Sequence, residues 1–275
     1  MLDTVYIFSI PYKIIHGFIF LLCCSCSSTP EDPEATSTET LIWEDNFDTS
    51  GTINLDKWTY ETGNGCPNLC GWGNGESQYY TARSENVRVE DGLLKLQARR
   101  ENYRNSSFTS ARIKTQGLFQ FTYGKVEVRA KLPSGGGVWP AIWMLGSNIT
   151  SDGWPRCGEI DIMEFAGNRP GRVSAAIHNA SSYGNTQYSQ SQTVNSPSEE
   201  FHIYAIQWDA DKIQFFIDGE RFYVYSPYPK TPENWPFDAD HFIIMNVAMG
   251  GSYGGSISAD FQSSAMEIDY VRVYQ

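Results

Sequence analysis

The chain has 275 residues, of which 41% are hydrophobic, 14% aromatic and 19% charged, enough apolar material for one large domain or two small ones and too much for a disordered chain. Its formal net charge of -12 argues against nucleic acid as a partner, against docking on an anionic membrane through a basic patch, and disfavours polyanionic substrates.

In chain order, the first forty residues differ from the rest. Lys13 precedes an apolar run, Ile14 to Leu22, too short to span a bilayer comfortably and right for the h-region of a secretory signal. The run ends in LLCCSCSS, which resembles the lipobox of bacterial lipoproteins. The resemblance implies lipidation at Cys26, with Cys24 as the alternative; a plain cleaved signal shares the same order of charge, apolar run and small residues. Residues 1–25 are thus read as a signal peptide and 26–40 as a disordered acidic linker, rich in Ser, Thr, Pro and acids with almost nothing to bury. Glu31, Asp32 and Glu34 resemble export signals of Bacteroidetes surface lipoproteins, against the plainer reading of a solvated linker. The expected location is the cell surface or outer membrane through a lipid anchor, or else secretion. Residues 41–275 keep 19 basic and 27 acidic side chains, a net of -8.

Three cysteines remain in this part. In an exported protein Cys66 and Cys70, inside GCPNLCGWG, are expected to form a disulfide, and Cys157 to be a buried free thiol, because no second pair or nearby His completes a zinc site. From Leu41 the predicted strands are LIWEDNF, VRVEDGLLKLQAR, GLFQFTYGKVEVRAKL, AIWML, EIDIMEF, VSAAIHNA, FHIYAIQWD, KIQFFIDGERFYVY, HFIIMNVAM and MEIDYVRVY. Asp91-Gly92 and Asp218-Gly219 are two-residue hairpin signals, and this spacing with no long amphipathic helix predicts an all-β sandwich or barrel.

The segment GEIDIMEF, Gly158 to Phe165, threads three acids through aliphatic residues. On a regular strand Glu159 and Asp161 share a face and Glu164 points the other way. One extra residue, a bulge at Ile162 or Met163, returns Glu164 to their side. Three like charges on one face repel and resist desolvation, which points to function. Two carboxylates on one cleft suit glycoside hydrolysis, one attacking the anomeric carbon and the other protonating the leaving oxygen. Neighbouring positions on one face lie about 7 Å apart, and convergence from there favours retention. Asp161 between them raises the neighbouring carboxyl pKa values and keeps one glutamate protonated. Edge protection of a sheet and calcium ligation are the competing readings of such acids.

EIDIME resembles the E-x-D-x-x-E signature of glycoside hydrolase family 16 in its bulged form. GVWPAIWML, WPRCGEIDIMEF, GWGNGESQYYT and IDYVRVYQ are similar to the bacterial laminarinase branch, over essentially residues 41–275. The resemblance implies a concanavalin-like jelly-roll sandwich of two curved antiparallel sheets, with Glu159 as nucleophile, Asp161 as supporting acid and Glu164 as acid/base. It implies a β-glucan polysaccharide as substrate, a monomer, no cofactor for catalysis, and a structural calcium held by Asp269, Glu44 and the Gly92 carbonyl.

Sugar rings present CH-rich faces, so a glycan cleft needs aromatic platforms. Trp154, in a Gly-Trp-Pro turn before the acid strand, is the first choice, then Trp139 after the Gly135-Gly136-Gly137 loop, then Trp143; each has burial in the core as its alternative. Asn74 and Glu76 in NGESQYYT are expected to meet sugar hydroxyls. Arg112 either projects into the cleft or makes a structural salt bridge, and His178 either faces the acids or is a satisfied core histidine. The expected activity is endo-β-1,3-glucan hydrolysis with retention; mixed-linkage glucanase and galactan hydrolase are the enzymatic alternatives, and a non-catalytic glycan-binding sandwich is the alternative of another class.

Overall fold

The computed structural model describes residues 39–275; the signal segment 1–25, the lipidation positions Cys26 and Cys24, and residues 26–38 of the linker lie outside the described residues. Hairpin chemistry sets much of the local architecture. Asp91-Gly92 and Asp218-Gly219 carry positive φ at both positions (57° and 73°, 52° and 82°), the requirement of a two-residue turn whose twist matches its strands. They join Val87–Glu90 to Leu93–Tyr103 and Ile213–Ile217 to Glu220–Tyr225. Arg104-Asn105, also at positive φ, joins Leu93–Tyr103 to Ser106–Ser110 in the same way.

Two sheets result. The larger runs Glu220–Tyr225, Ile213–Ile217, His202–Trp208, Gly124–Lys131, Ser263–Tyr274, Leu93–Tyr103, Ser106–Ser110, Gln78–Tyr80, with Leu41–Asp45 beside Ser263–Tyr274 and Val87–Glu90 beside Leu93–Tyr103. The smaller runs Ser189–Thr193, Arg172–His178, Glu159–Phe165, Val138–Gly146, His241–Met249, Arg112–Lys114, Thr59–Tyr60. Gln78–Tyr80 and Ser106–Ser110 pair in parallel; the other strand pairs among the described residues are antiparallel. The architecture is the expected all-β sandwich of the jelly-roll kind.

Period-2 patterning decides which faces meet. Leu94, Leu96, Val126, Val128, Tyr204, Ile206, Met266 and Ile268 of the larger sheet pack on Ile113, Ile142, Met144, Ile160, Ile177, Ile243 and Met245 of the smaller in one continuous core. The edge strand Ser189–Thr193, all Ser, Gln and Thr, offers little apolar surface to another sheet.

One predicted strand is shorter than expected. GLFQFTY at 117–123 is not part of the strand that follows, which spans Gly124–Lys131. Tyr123 stands at positive φ, which breaks extended backbone, and Phe119 and Phe121 stack instead on Trp43 and on each other at the rim of the core. The strands Arg112–Lys114 and Ser189–Thr193 lack an aliphatic run and were not expected. Replacing Ile160, fully buried in the acid strand, with Ala should cost about 2–5 kcal/mol, read as a lower denaturation midpoint with an unchanged slope.

Candidate active site

The strand Glu159–Phe165 is flanked by Arg172–His178 and Val138–Gly146, and its register slips on both sides. Asp161 pairs with Trp143 but Met163 with Ile142; on the other side Asp161 pairs with Ala176 and Glu164 with Ser174. One extra residue therefore sits at Ile162–Met163, as the parity of the acids requires. Ile160, Ile162, Met163 and Phe165 all enter the core, leaving Glu159, Asp161 and Glu164 together on the outer face of the smaller sheet. Glu159 and Glu164 are two face positions apart, about 13 Å along an extended strand, with Asp161 between them, and not at the neighbouring positions that the spacing of about 7 Å describes. The residues across from Glu164 are the small Ala141 and Ser174, while Asp161 has Ala176 on one side and Trp143 on the other.

Each glutamate is held by one indole. Trp154 Nε1 donates to Glu159 Oε2 at 2.9 Å, and Trp139 Nε1 donates to Glu164 Oε1 at 3.0 Å. Trp154 is 45% exposed and stands edge-on to Tyr183, itself 54% exposed. Trp139 is half-buried and packs on Tyr253, whose ring carries the Arg169 guanidinium on its face. Tyr253 belongs to the segment Gly250–Gly255, which Asn168 pins by donating to the Gly254 and Ser256 carbonyls. A Cβ at Gly251, where φ is 70°, would meet the Asn74 carbonyl at 2.9 Å and Trp139 and Glu76 at 3.3 Å, so only glycine lets this segment close on the tryptophan.

His178, directly opposite Glu159 in register, brings Nε2 within 3.1 Å of Asp161 Oδ2 and 3.7 Å of Glu159 Oε1. It faces the acids and is not a core histidine satisfied elsewhere. Burial pushes Glu159, Asp161 and Glu164 each up to about 8; the Asp161 charge adds to the rise at both glutamates and His178 opposes it there. Cys157, just before the strand, is buried with Leu145, Phe242 and Ile244. Burial, then the Glu159 charge, push its thiol up to about 12. Among the described residues, Glu159, Asp161 and His178 are the one group of three metal-ligating side chains whose donor atoms lie within 4.8 Å of one another.

The remaining predicted residues form a second polar group on the same face. Glu76 accepts from Asn74 Nδ2, Gln78 Nε2 and Tyr80 Oη, and burial raises its pKa. Tyr80 accepts in turn from Asn246, which accepts from Trp143 Nε1. Arg112 lies between the rings of Trp72 and Trp143 and pairs with Glu61 at 2.6 Å, so its salt bridge is structural and it fixes two aromatic rings. Cys66 and Cys70 are disulfide-bonded in the loop that carries Trp72. Trp72, Tyr183, Asn246, Arg169 and Tyr253 were not singled out in the sequence; Trp72 lies inside GWGNGESQYYT and Arg169 five residues after Glu164, whereas Tyr183, Asn246 and Tyr253 lie remote from the acids with no local motif to mark them.

The calcium donor set fits an ion poorly. Asp269 Oδ2 accepts from Arg129 Nη1 at 2.6 Å and the Glu44 carbonyl accepts from Lys57 Nζ at 2.6 Å, while the Glu44 carboxylate lies 3.5 Å from Arg272. Two of the three oxygens are already engaged by the chain's own cations.

Two glutamates that cannot both ionise freely, set on an open face beside aromatic rings, define a glycoside hydrolase. Comparison with known proteins places it further. A model of Glycosyl hydrolases family 16 matches residues 74–272. The chain is 42% identical to a Beta-glucanase of Rhodothermus marinus, over 93% of this chain and 91% of that one. It is 38% identical to Glucan endo-1,3-beta-glucosidase A1 of Niallia circulans, over 90% of this chain and 39% of that one. The solved laminarinase from Flavobacterium sp. UMI-01 superposes with a TM-score of 0.81 at 43% identity, over 86% of this chain and all 100% of that one. The chain belongs to glycosyl hydrolase family 16.

Acids whose pKa is raised by folding bind protons more tightly in the native state, so their contribution to stability is full below the unfolded value and is lost as pH rises towards about 8. Glu164→Gln should therefore melt like the parent near pH 4 and above it at pH 8.5, by about 2–4 °C per kcal/mol relieved. Equal melting shifts at both pH values would contradict the burial of this charge.

Proposed function

We propose that this chain is an endo-β-1,3-glucanase acting on laminarin-type glucan with retention of configuration. The observation that carries the reading is the bulge that sets Glu159, Asp161 and Glu164 on one face, with each glutamate held by a single indole N–H. The names borne by the relatives supply the substrate class.

In this reading Glu159 is the nucleophile. Trp154 holds Oε2, leaving Oε1 to attack the anomeric carbon, while the indole N–H and His178 favour the ionised form. Trp139 holds Glu164 Oε1, leaving Oε2 to carry the proton to the departing glycosidic oxygen. When Glu159 becomes an ester its charge disappears; the pKa of Glu164 falls, and the same carboxylate accepts a proton from the incoming water. Burial, and after it the charge of Asp161 when that carboxyl is ionised, keeps Glu164 protonated in the first half-reaction. The exposed Trp154 and the half-buried Trp139 serve as sugar platforms at the two ends of the acid row, and Asn74 and Glu76 as hydroxyl partners. An open sheet face admits the middle of a chain, which supports endo action.

Glu164→Gln should lower kcat on laminarin about 10²–10⁴-fold, and Glu159→Ala about 10³-fold or more. Azide should restore turnover of the Glu159→Ala protein with inversion at the anomeric carbon, while the parent gives the retained anomer by proton NMR. Laminarin, mixed-linkage glucan and agarose assayed side by side check the substrate: preference for either of the last two discards β-1,3-glucan and keeps the mechanism. Binding without release of reducing ends would instead favour a glycan-binding sandwich.

The same proposal includes export and lipid anchoring, supported by Lys13, the apolar run and LLCCSCSS. Palmitate labelling of the full chain should be lost in Cys26→Ser and kept in Cys24→Ser; the reverse pattern moves the anchor to Cys24.

A further inference from the structure

The nucleophile end of the acid row holds three donor atoms of two kinds. His178 Nε2 lies 3.1 Å from Asp161 Oδ2 and 3.7 Å from Glu159 Oε1. The edge of a tetrahedron around zinc, with bonds of about 2.0–2.2 Å, is about 3.4 Å, midway between these two separations; the third pair, between the two carboxylates, lies within 4.8 Å. Asp161 is 4% exposed and its Oδ2 accepts no hydrogen bond, with His178 Nε2 beside it at 3.1 Å. Among the described residues this buried oxygen accepts no hydrogen bond, and the imidazole nitrogen is its near polar neighbour. The backbone holds the arrangement, because Glu159 and His178 are register partners and Asp161 is the next outward residue.

We propose that Glu159, Asp161 and His178 form a binding site for one borderline divalent cation, zinc or its neighbours in the first transition row, and that its occupancy blocks the nucleophile. An imidazole among the donors selects against calcium and magnesium, which take oxygen ligands in larger numbers. Three protein ligands leave the fourth position of zinc to water or a sugar oxygen. The cation binds Glu159 Oε1, the oxygen assigned to attack, so metal and glucan exclude each other. His178 Nδ1 has no acceptor, and a ligating histidine that lacks this outer hydrogen bond binds about 10–100-fold more weakly. The site is therefore one of reversible inhibition and not of permanent structure. The inhibitory consequence rests on the proposed hydrolytic role of Glu159; the binding itself does not.

Cobalt(II) tests the site directly, since its visible absorption reports coordination by nitrogen and oxygen without any turnover. Titration of the chelator-treated full chain should give a visible band saturating at one equivalent, and zinc should abolish it. His178→Gln and Asp161→Asn should each weaken saturation about tenfold or more; the second variant retains the imidazole, so failure of one to fold leaves the other informative. Zinc should also raise the apparent KM for laminarin in the parent, with less effect in His178→Gln. No band in the parent, or a band of the same strength and midpoint in both variants, overturns the site. Cobalt binding by a protein that hydrolyses no glucan would sink the hydrolase reading and leave the metal site standing.

Discussion

One inserted residue in a seven-residue strand governs this molecule. Ile162 and Met163 both turn inward, and that single break in alternation keeps four apolar side chains in the core while presenting three carboxylates outward. A regular strand would have to choose between burying Glu164 and exposing its aliphatic neighbours. The sandwich supplies the other half of the constraint. A strand with paired neighbours on both sides of the bulge is held at either end of it, and the acids share one face at a cost that the large core offsets.

The surroundings of the acids follow from that cost. Each glutamate receives one hydrogen bond from an indole and has one oxygen left over, while Asp161 receives none at Oδ2. Residues far apart in sequence maintain this: Asn168 holds the glycine segment, the segment holds Tyr253 against Trp139, and Trp139 holds Glu164. On the other flank Arg112, clamped by Glu61, fixes Trp72 and Trp143, and through Asn246 and Tyr80 the network reaches Glu76. The cleft is thus a set of rings and carboxylates oriented by hydrogen bonds from outside it.

Much of this was legible in the sequence because it is local. The Asp-Gly turns name their own backbone geometry, and the acid spacing of two and then three residues declares the bulge. Cys66 and Cys70 are close enough in sequence to pair without knowledge of the fold. What was hidden depends on pairing across the sheets. Nothing near Arg112 in sequence points to Glu61, and Tyr253 sits some ninety residues beyond Glu164, whose indole partner it supports. The strand Ser189–Thr193 hid for a different reason: at a sheet edge with both faces wet, it needs no alternation of apolar residues. GLFQFTY misled in the opposite sense, since aromatic residues that cap a core look like residues that fill one.

The placement of Cys157 bears on the chemistry of the chain's sulfur. The disulfide loop is exposed, and the third thiol is sealed beneath Phe242 and Ile244 with a pKa pushed up to about 12. Exchange requires a thiolate that can reach a disulfide sulfur, and this one is neither ionised nor within reach in the native state. Among the described residues, exchange between Cys157 and the Cys66–Cys70 bond is therefore coupled to unfolding: these three sulfurs keep one connectivity for as long as the small apolar cluster around Cys157 stays closed.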